Sequence, residues 1–196
     1  MIAQLSDDRL TPEEYLAFEA ESPVKHEYID GRAYAMSGTT DVHNVLSQNA
    51  LFALRIHLKG SGCSMYMANV KAQLVARSNY YYPDIFVTCN PVDRETSNSK
   101  RFPKLIIEVL SDSTEAFDRG DKFVDYQSFE SLEEYVLINT RHRRVEIFRR
   151  SEGSLWTLQI YQDKGDDTDV VVEFKSLELK VPLSVLYEDV ALQQAV

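Results

Sequence analysis

The stretch Lys104-Leu105-Ile106-Ile107-Glu108-Val109-Leu110 decides how this chain is read. At the two-residue period of a β-strand, Leu105, Ile107 and Val109 share one face, while Ile106, Glu108 and Leu110 share the other. A strand apolar on both faces is usually central in its sheet and covered on both sides. A carboxylate inside such a run is costly to bury unless it is paired or bound to a cation. Glu108 is therefore a candidate functional residue. The plainer alternative is an acid at the sheet's end, where water reaches it.

Working outward, Tyr82-Pro83-Asp84-Ile85-Phe86-Val87 sets Pro-Asp at the beginning of a second apolar run. Asp is disfavoured in strands and Pro is tolerated only at their starts or edges, so alone this pair reads as a turn. Beside Glu108 it becomes a second acid at the end of a neighbouring strand. Two carboxylates entering one cleft from adjacent strands suit Mg²⁺, which takes oxygen ligands and keeps several waters.

Around these runs, Thr11-Pro12-Glu13-Glu14 opens a helix that ends before Pro23, with Thr11 as N-cap and Pro at the first helical position. Glu27 to Met36 reads as a hairpin turning at Asp30-Gly31, and residues 37–40 as a loop. Asp41 can cap a helix to about Leu58, with Val42, Leu46, Ala50, Ala53, Leu54 and Leu58 on one stripe. Strands are expected at 64–68, 70–75, 82–88, 104–110, 135–139, 145–150, 155–161 and 170–174. A helix is expected at 117–129, a turn at Gly165 to Asp169 and a short helix at 182–187. Helices interleaved with hairpin-linked strands predict an α/β class of α+β type: one mixed sheet flanked by helices. The expected organisation is a single domain over 1–196, with its core at about 10–150 and a C-terminal hairpin and short helix within 151–190.

Bulk properties set limits. Hydrophobic residues make up 44% and charged residues 27%, an ordinary globular balance. Met1 to Asp8 lacks the basic and apolar regions of a signal peptide, and no run approaches the ~20 apolar residues of a membrane span. A cytoplasmic protein without membrane attachment is expected. Cys63 and Cys89 have no zinc-ligand spacing and read as two reduced thiols. The net charge of −10 argues against tight nonspecific nucleic-acid binding. Arg141-His142-Arg143-Arg144 and Arg149-Arg150 form the densest basic stretch, read first as a solvated edge hairpin.

The order of these pieces resembles the PD-(D/E)XK nuclease core, with Asp84 and Glu108 spaced 24 residues apart. The text is similar to one branch in particular, the Uma-two family of restriction-endonuclease-like proteins. The matching pieces are His26-Glu27-Tyr28-Ile29-Asp30-Gly31, His43, Pro83-Asp84, Glu108-Val109-Leu110-Ser111-Asp112-Ser113-Thr114, Lys122 and Glu133-Glu134-Tyr135-Val136-Leu137-Ile138-Asn139. The chain departs from the superfamily at Leu110, where the motif would place lysine; in this branch the lysine moves to the following helix, at Lys122.

The resemblance implies a restriction-endonuclease-like core and metal-dependent hydrolysis of DNA. Asp84, Glu108, the Val109 carbonyl and Glu27 would hold Mg²⁺, or Mn²⁺ in its place. Lys122 would orient the attacking water, and His43 would stand by the site. Read from the residues alone, Glu27 is a hairpin residue, Lys122 a solvated helix lysine, His43 a helix-start histidine and Tyr126 a packing residue. The resemblance also makes a homodimer plausible as the way an acidic chain assembles a basic cleft. Two other classes stay open: an inactive interaction or structural protein on the same fold, and a hydrolase of smaller phosphoesters.

Overall fold

The computed structural model describes residues 3–4, 9–36, 38–163, 165 and 169–192. Most of the N-terminal octapeptide, Ser37 in the loop expected at 37–40, and residues 166–168 of the expected turn lie outside these. Fourteen strands and five α-helices are described. In chain order they are β1 (Ala3–Gln4), α1 (Pro12–Glu21), β2 (His26–Ile29), β3 (Arg32–Ala35), α2 (Asp41–His57), β4 (Ser64–Met67), β5 (Lys71–Leu74), β6 (Asn79–Tyr81) and β7 (Ile85–Thr88). There follow β8 (Ser99–Lys100), β9 (Leu105–Val109), α3 (Glu115–Arg119), α4 (Asp121–Tyr126), β10 (Glu134–Ile138), β11 (Arg144–Arg150), β12 (Trp156–Gln162), β13 (Val171–Phe174), β14 (Leu179–Pro182) and α5 (Leu183–Leu186).

The class is mixed α/β as expected, but the strands divide over two six-stranded sheets and a two-stranded hairpin. One sheet has the order β1-β3-β2-β6-β5-β8, the other β12-β11-β10-β9-β7-β4. The division falls at Pro83. Of the run expected as a strand at 82–88, only β7 is strand, and β6, an unforeseen strand just before it, belongs to the other sheet. Proline has no N–H to donate to a ladder, so pairing stops there and the chain changes sheets.

Strand β9 is central. It runs parallel to β10 and antiparallel to β7. Leu105, Ile107 and Val109 pack with Leu46, Ala50 and Leu54 of α2 on one side. Ile106 and Leu110 pack with Tyr126, Phe129 and Tyr135 on the other. Both faces are covered, as the alternation requires. The C-terminal segment completes the first of these cores through Val172, Phe174, Val181, Leu183 and Leu186.

Local signals act as their chemistry predicts. Thr11 and Glu14 form a reciprocal capping box on α1. Asp30 and Gly31 both take positive φ in the β2–β3 turn, the conformation such a turn demands. Helix α2 is capped by Thr40 rather than Asp41; the Thr40 hydroxyl accepts from the His43 N–H. The helix expected at 117–129 is two short helices broken at Gly120. The basic stretch is also not an edge, because β11 lies between β10 and β12. Arg149 pairs with buried Glu134 at 2.7 Å, and Arg150 donates to the Leu132, Gln127 and Phe129 carbonyls. These two arginines serve the fold, satisfying a buried acid and orphan carbonyls.

The cysteines overturn the reduced-thiol expectation: Cys63 and Cys89 form a disulfide. In the antiparallel β4–β7 pair Ser64 stands opposite Thr88, so the preceding and following residues, Cys63 and Cys89, face one another. Sequence spacing carries no sign of that register. The bridge closes a loop of 26 residues, which corresponds to about 3.5 kcal/mol in the loop-entropy description. Urea unfolding with and without dithiothreitol is expected to show a stability loss of up to that size, and none in Cys63→Ser/Cys89→Ser.

Candidate active site

The β7–β9 register builds the site. Ile85 pairs with Ile107, so Asp84, one residue ahead of β7, lies beside Glu108. The Asp84 N–H donates to Glu108 Oε2 at 3.2 Å, and Asp84 Oδ2 accepts from the Val109 N–H at 2.7 Å. His43, in the first turn of α2, places Nε2 3.1 Å from the same Asp84 oxygen. Burial pushes His43 down, but its bond to Asp84, the charges of Asp84 and Asp118 and a bond to the Val109 backbone hold it above the usual histidine value. Asp84 thus has its orientation fixed from two sides.

Behind the acids sits a buried ammonium. Lys122 Nζ lies 2.9 Å from Glu108 Oε1, 3.1 Å from Glu27 Oε1 and 3.4 Å from Asp118 Oδ1. The lysine is only 6% exposed, so it is not a solvated helix residue. Burial alone would push it down, yet Glu108 and Glu27 keep it well above the ordinary lysine value. Glu108 is raised well above the carboxylate range: desolvation dominates, Lys122 opposes it, and Asp84, Asp118 and Glu27 add to it. Three carboxylates share one ammonium, which leaves the acids in excess. The Tyr126 hydroxyl donates to Glu108 Oε1 at 2.9 Å, so Tyr126 orients a site residue as well as packing. Glu27 reaches the site from the other sheet, with its Oε1 also accepting from the Tyr82 N–H at 3.1 Å.

Glu27, His43, Tyr82, Asp84, Glu108, Val109 and Lys122 line one cleft of about 640 Å³, which also includes Ser111, Thr114, Asp118 and Arg141. All five side chains singled out in the sequence, Glu27, His43, Asp84, Glu108 and Lys122, come together here. Asp118 joins them, and its only signal in the sequence is its place four residues before Lys122, a spacing equally typical of an ordinary helix ion pair.

Among the described residues, no three His, Cys, Asp or Glu side chains converge as a ready-made metal centre. The donor chemistry still suits a hard cation. Asp84, Glu108 and the Val109 carbonyl offer only oxygen, and Mg²⁺ is commonly held by one or two carboxylates plus water and substrate phosphate. Glu27 faces Lys122.

The comparisons agree with this architecture. The profile of the Uma2 family, described as "Putative restriction endonuclease", matches residues 12–182. The uncharacterized protein slr1290 of Synechocystis sp. is 36% identical over 183 residues, covering 93% of this chain and 94% of that protein. A second uncharacterized Synechocystis protein, sll1609, is 29% identical over 171 residues, covering 86% and 95%. A crystal structure of "a putative nuclease belonging to DUF820" from Anabaena variabilis superposes with a TM-score of 0.74 at 16% identity, over 91% of this chain and 97% of that one. At that identity the match establishes a shared nuclease-like fold. With most of its length matched by the family profile and a relative aligned nearly end to end, the chain belongs to the Uma2 family.

Proposed function

We propose that this protein is a divalent-metal-dependent endonuclease that hydrolyses phosphodiester bonds in DNA. The observation that carries the reading is the contact of Asp84 with Glu108, backed by the buried Lys122 ammonium, inside one cleft. Asp84, Glu108 and the Val109 carbonyl would hold Mg²⁺, or Mn²⁺ in its place. Bound there, the ion would polarise the phosphate and lower the pKa of a bound water.

The chain's own residues do the rest. His43 and the Val109 N–H fix the Asp84 carboxylate. The Tyr126 hydroxyl and Lys122 fix Glu108. Glu27 and Asp118 hold the Lys122 ammonium against the acids. From that place it can donate to the attacking water and to the negative charge that grows on the phosphate. In this reading the protein acts in the cytoplasm, and two copies together supply the basic surface that one chain of net charge −10 lacks.

Plasmid cleavage by the purified protein in Mg²⁺ and in Mn²⁺, beside Asp84→Ala, tests it. Metal-dependent nicking that disappears in the variant is expected. Equal inactivity of both proteins on duplex and single-stranded DNA would overturn the nuclease reading. Turnover of nucleotides without cleavage of DNA would redirect it to smaller phosphoesters.

A further inference from the structure

Two lysines of this acidic chain share one seat. Lys25, just before β2, and Lys71, which opens β5, come from separate segments of one sheet and meet at Tyr82. Their ammonium groups lie 6.0 Å and 5.4 Å from the centre of the Tyr82 ring. Among the described residues neither has a carboxylate oxygen within the 4.0 Å of an ion pair. Arg77, Arg119, Lys122, Arg141, Arg144, Arg149 and Lys180, by contrast, all do. Two like charges held over one ring, neither in an ion pair among the described residues, leave local positive charge there. Lys71 registers its setting: burial lowers its pKa, Glu19 offsets part of this and Lys25 lowers it further.

The seat beneath the two lysines is rigid. The Tyr82 hydroxyl donates to Glu19 Oε1 at 2.8 Å, and Glu19 is itself buried against His26 Nδ1 at 2.9 Å. The Tyr82 N–H is bonded to Glu27, and Tyr82 lines the cleft beside Asp84 and Glu108. The lysine pair therefore overlies Tyr82, a residue of the cleft's lining, without lining the cleft itself.

We propose that Lys25 and Lys71 form a phosphate-binding station that receives the backbone of a nucleic-acid strand beside the strand's scissile bond. The proposal rests on the endonuclease reading and deepens it by assigning residues to substrate capture. A polyanion approaching three buried carboxylates needs a local positive anchor, and ammonium groups bind phosphate as sequence-independent point charges. The bonds formed are ionic, so they act on affinity and salt dependence rather than on base preference.

The test is fluorescence anisotropy with a labelled 20-base-pair DNA duplex and its single strand, in Ca²⁺ and again in EDTA, across a salt series. The proteins are wild type, Lys25→Gln/Lys71→Gln, Lys25→Arg/Lys71→Arg, and Lys59→Gln/Lys175→Gln as a control of equal charge change. Lys59 lies past the C-terminal end of α2, whereas the cleft lies at its N-terminal end. For the glutamine pair, the slope of log affinity against log salt is expected to be shallower by about 1 per lysine, with similar weakening on unrelated sequences. The arginine pair is expected to restore the slope, and the control to leave it unchanged. If the double glutamine variant does not fold, Lys25→Gln alone, at an exposed position, is expected to lose about one unit. Wild-type binding with an unchanged slope in the glutamine variants would overturn the station and leave the endonuclease reading standing. Absence of DNA binding by the wild type under both conditions would overturn both.

Discussion

Lys122→Met is expected to destabilise the protein by about 3–5 kcal/mol, because it removes one partner of a buried charge network and leaves the others uncompensated. Glu108, Glu27 and Asp118 all lie within 3.4 Å of the ammonium that would be lost. Methionine fills similar volume, so the loss reports charge rather than a cavity. The pH dependence gives the sign. Without the ammonium, which opposes the rise, the folded-state pKa of Glu108 moves further above the unfolded value. A group raised in this way contributes stability that is present below its unfolded pKa and lost as pH rises through its folded pKa. The deficit of Lys122→Met against wild type is therefore expected to be largest at neutral and alkaline pH, and to shrink as pH falls toward the ordinary carboxylate range. Chemical denaturation of both proteins at several pH values measures this. A deficit that does not vary with pH would show that Lys122 stabilises by packing alone.

Glu108→Gln separates function from fold in the opposite direction. Its carboxylate is buried and raised mainly by desolvation, so the charged form works against the folded state. The neutral amide of the same shape removes that penalty while Glu27 and Asp118 still hold Lys122. Thermal stability is expected to hold or rise. DNA cleavage is expected to fall on the order of 10³-fold, the scale of losing one preorganised electrostatic group in a water-poor site. Active sites commonly give up stability for function in this way. Parallel melting curves and cleavage rates check both halves. A variant that keeps wild-type cleavage would remove Glu108 from the proposed chemistry.

The sequence by itself determined the central strand and the pairing of its acid. Alternation at Leu105 to Leu110 depends only on the two-residue period of an extended chain, so its two buried faces could be read before any contact was known. The Thr11 N-cap and the Asp30-Gly31 turn were legible for the same reason, since their chemistry closes within a few residues. Asp84 and Glu108 could be set side by side as candidates because each is a carboxylate set against or within an apolar run.

Only the tertiary structure decided the rest. The chain changes sheets at Pro83, between β6 and β7, and Glu27 reaches Lys122 from the other sheet. Asp118 and Lys122 look like a surface helix pair until the fold buries them against Glu108. Cys63 and Cys89 become partners through the register of β4 on β7, which no spacing announces. Lys25 and Lys71 are ordinary lysines along the chain and a juxtaposed pair over one ring in space. The physical reason is common to all four. A side chain's pairing, burial and charge state depend on neighbours that are distant in sequence, and the local pattern that sets each strand or helix contains no record of them.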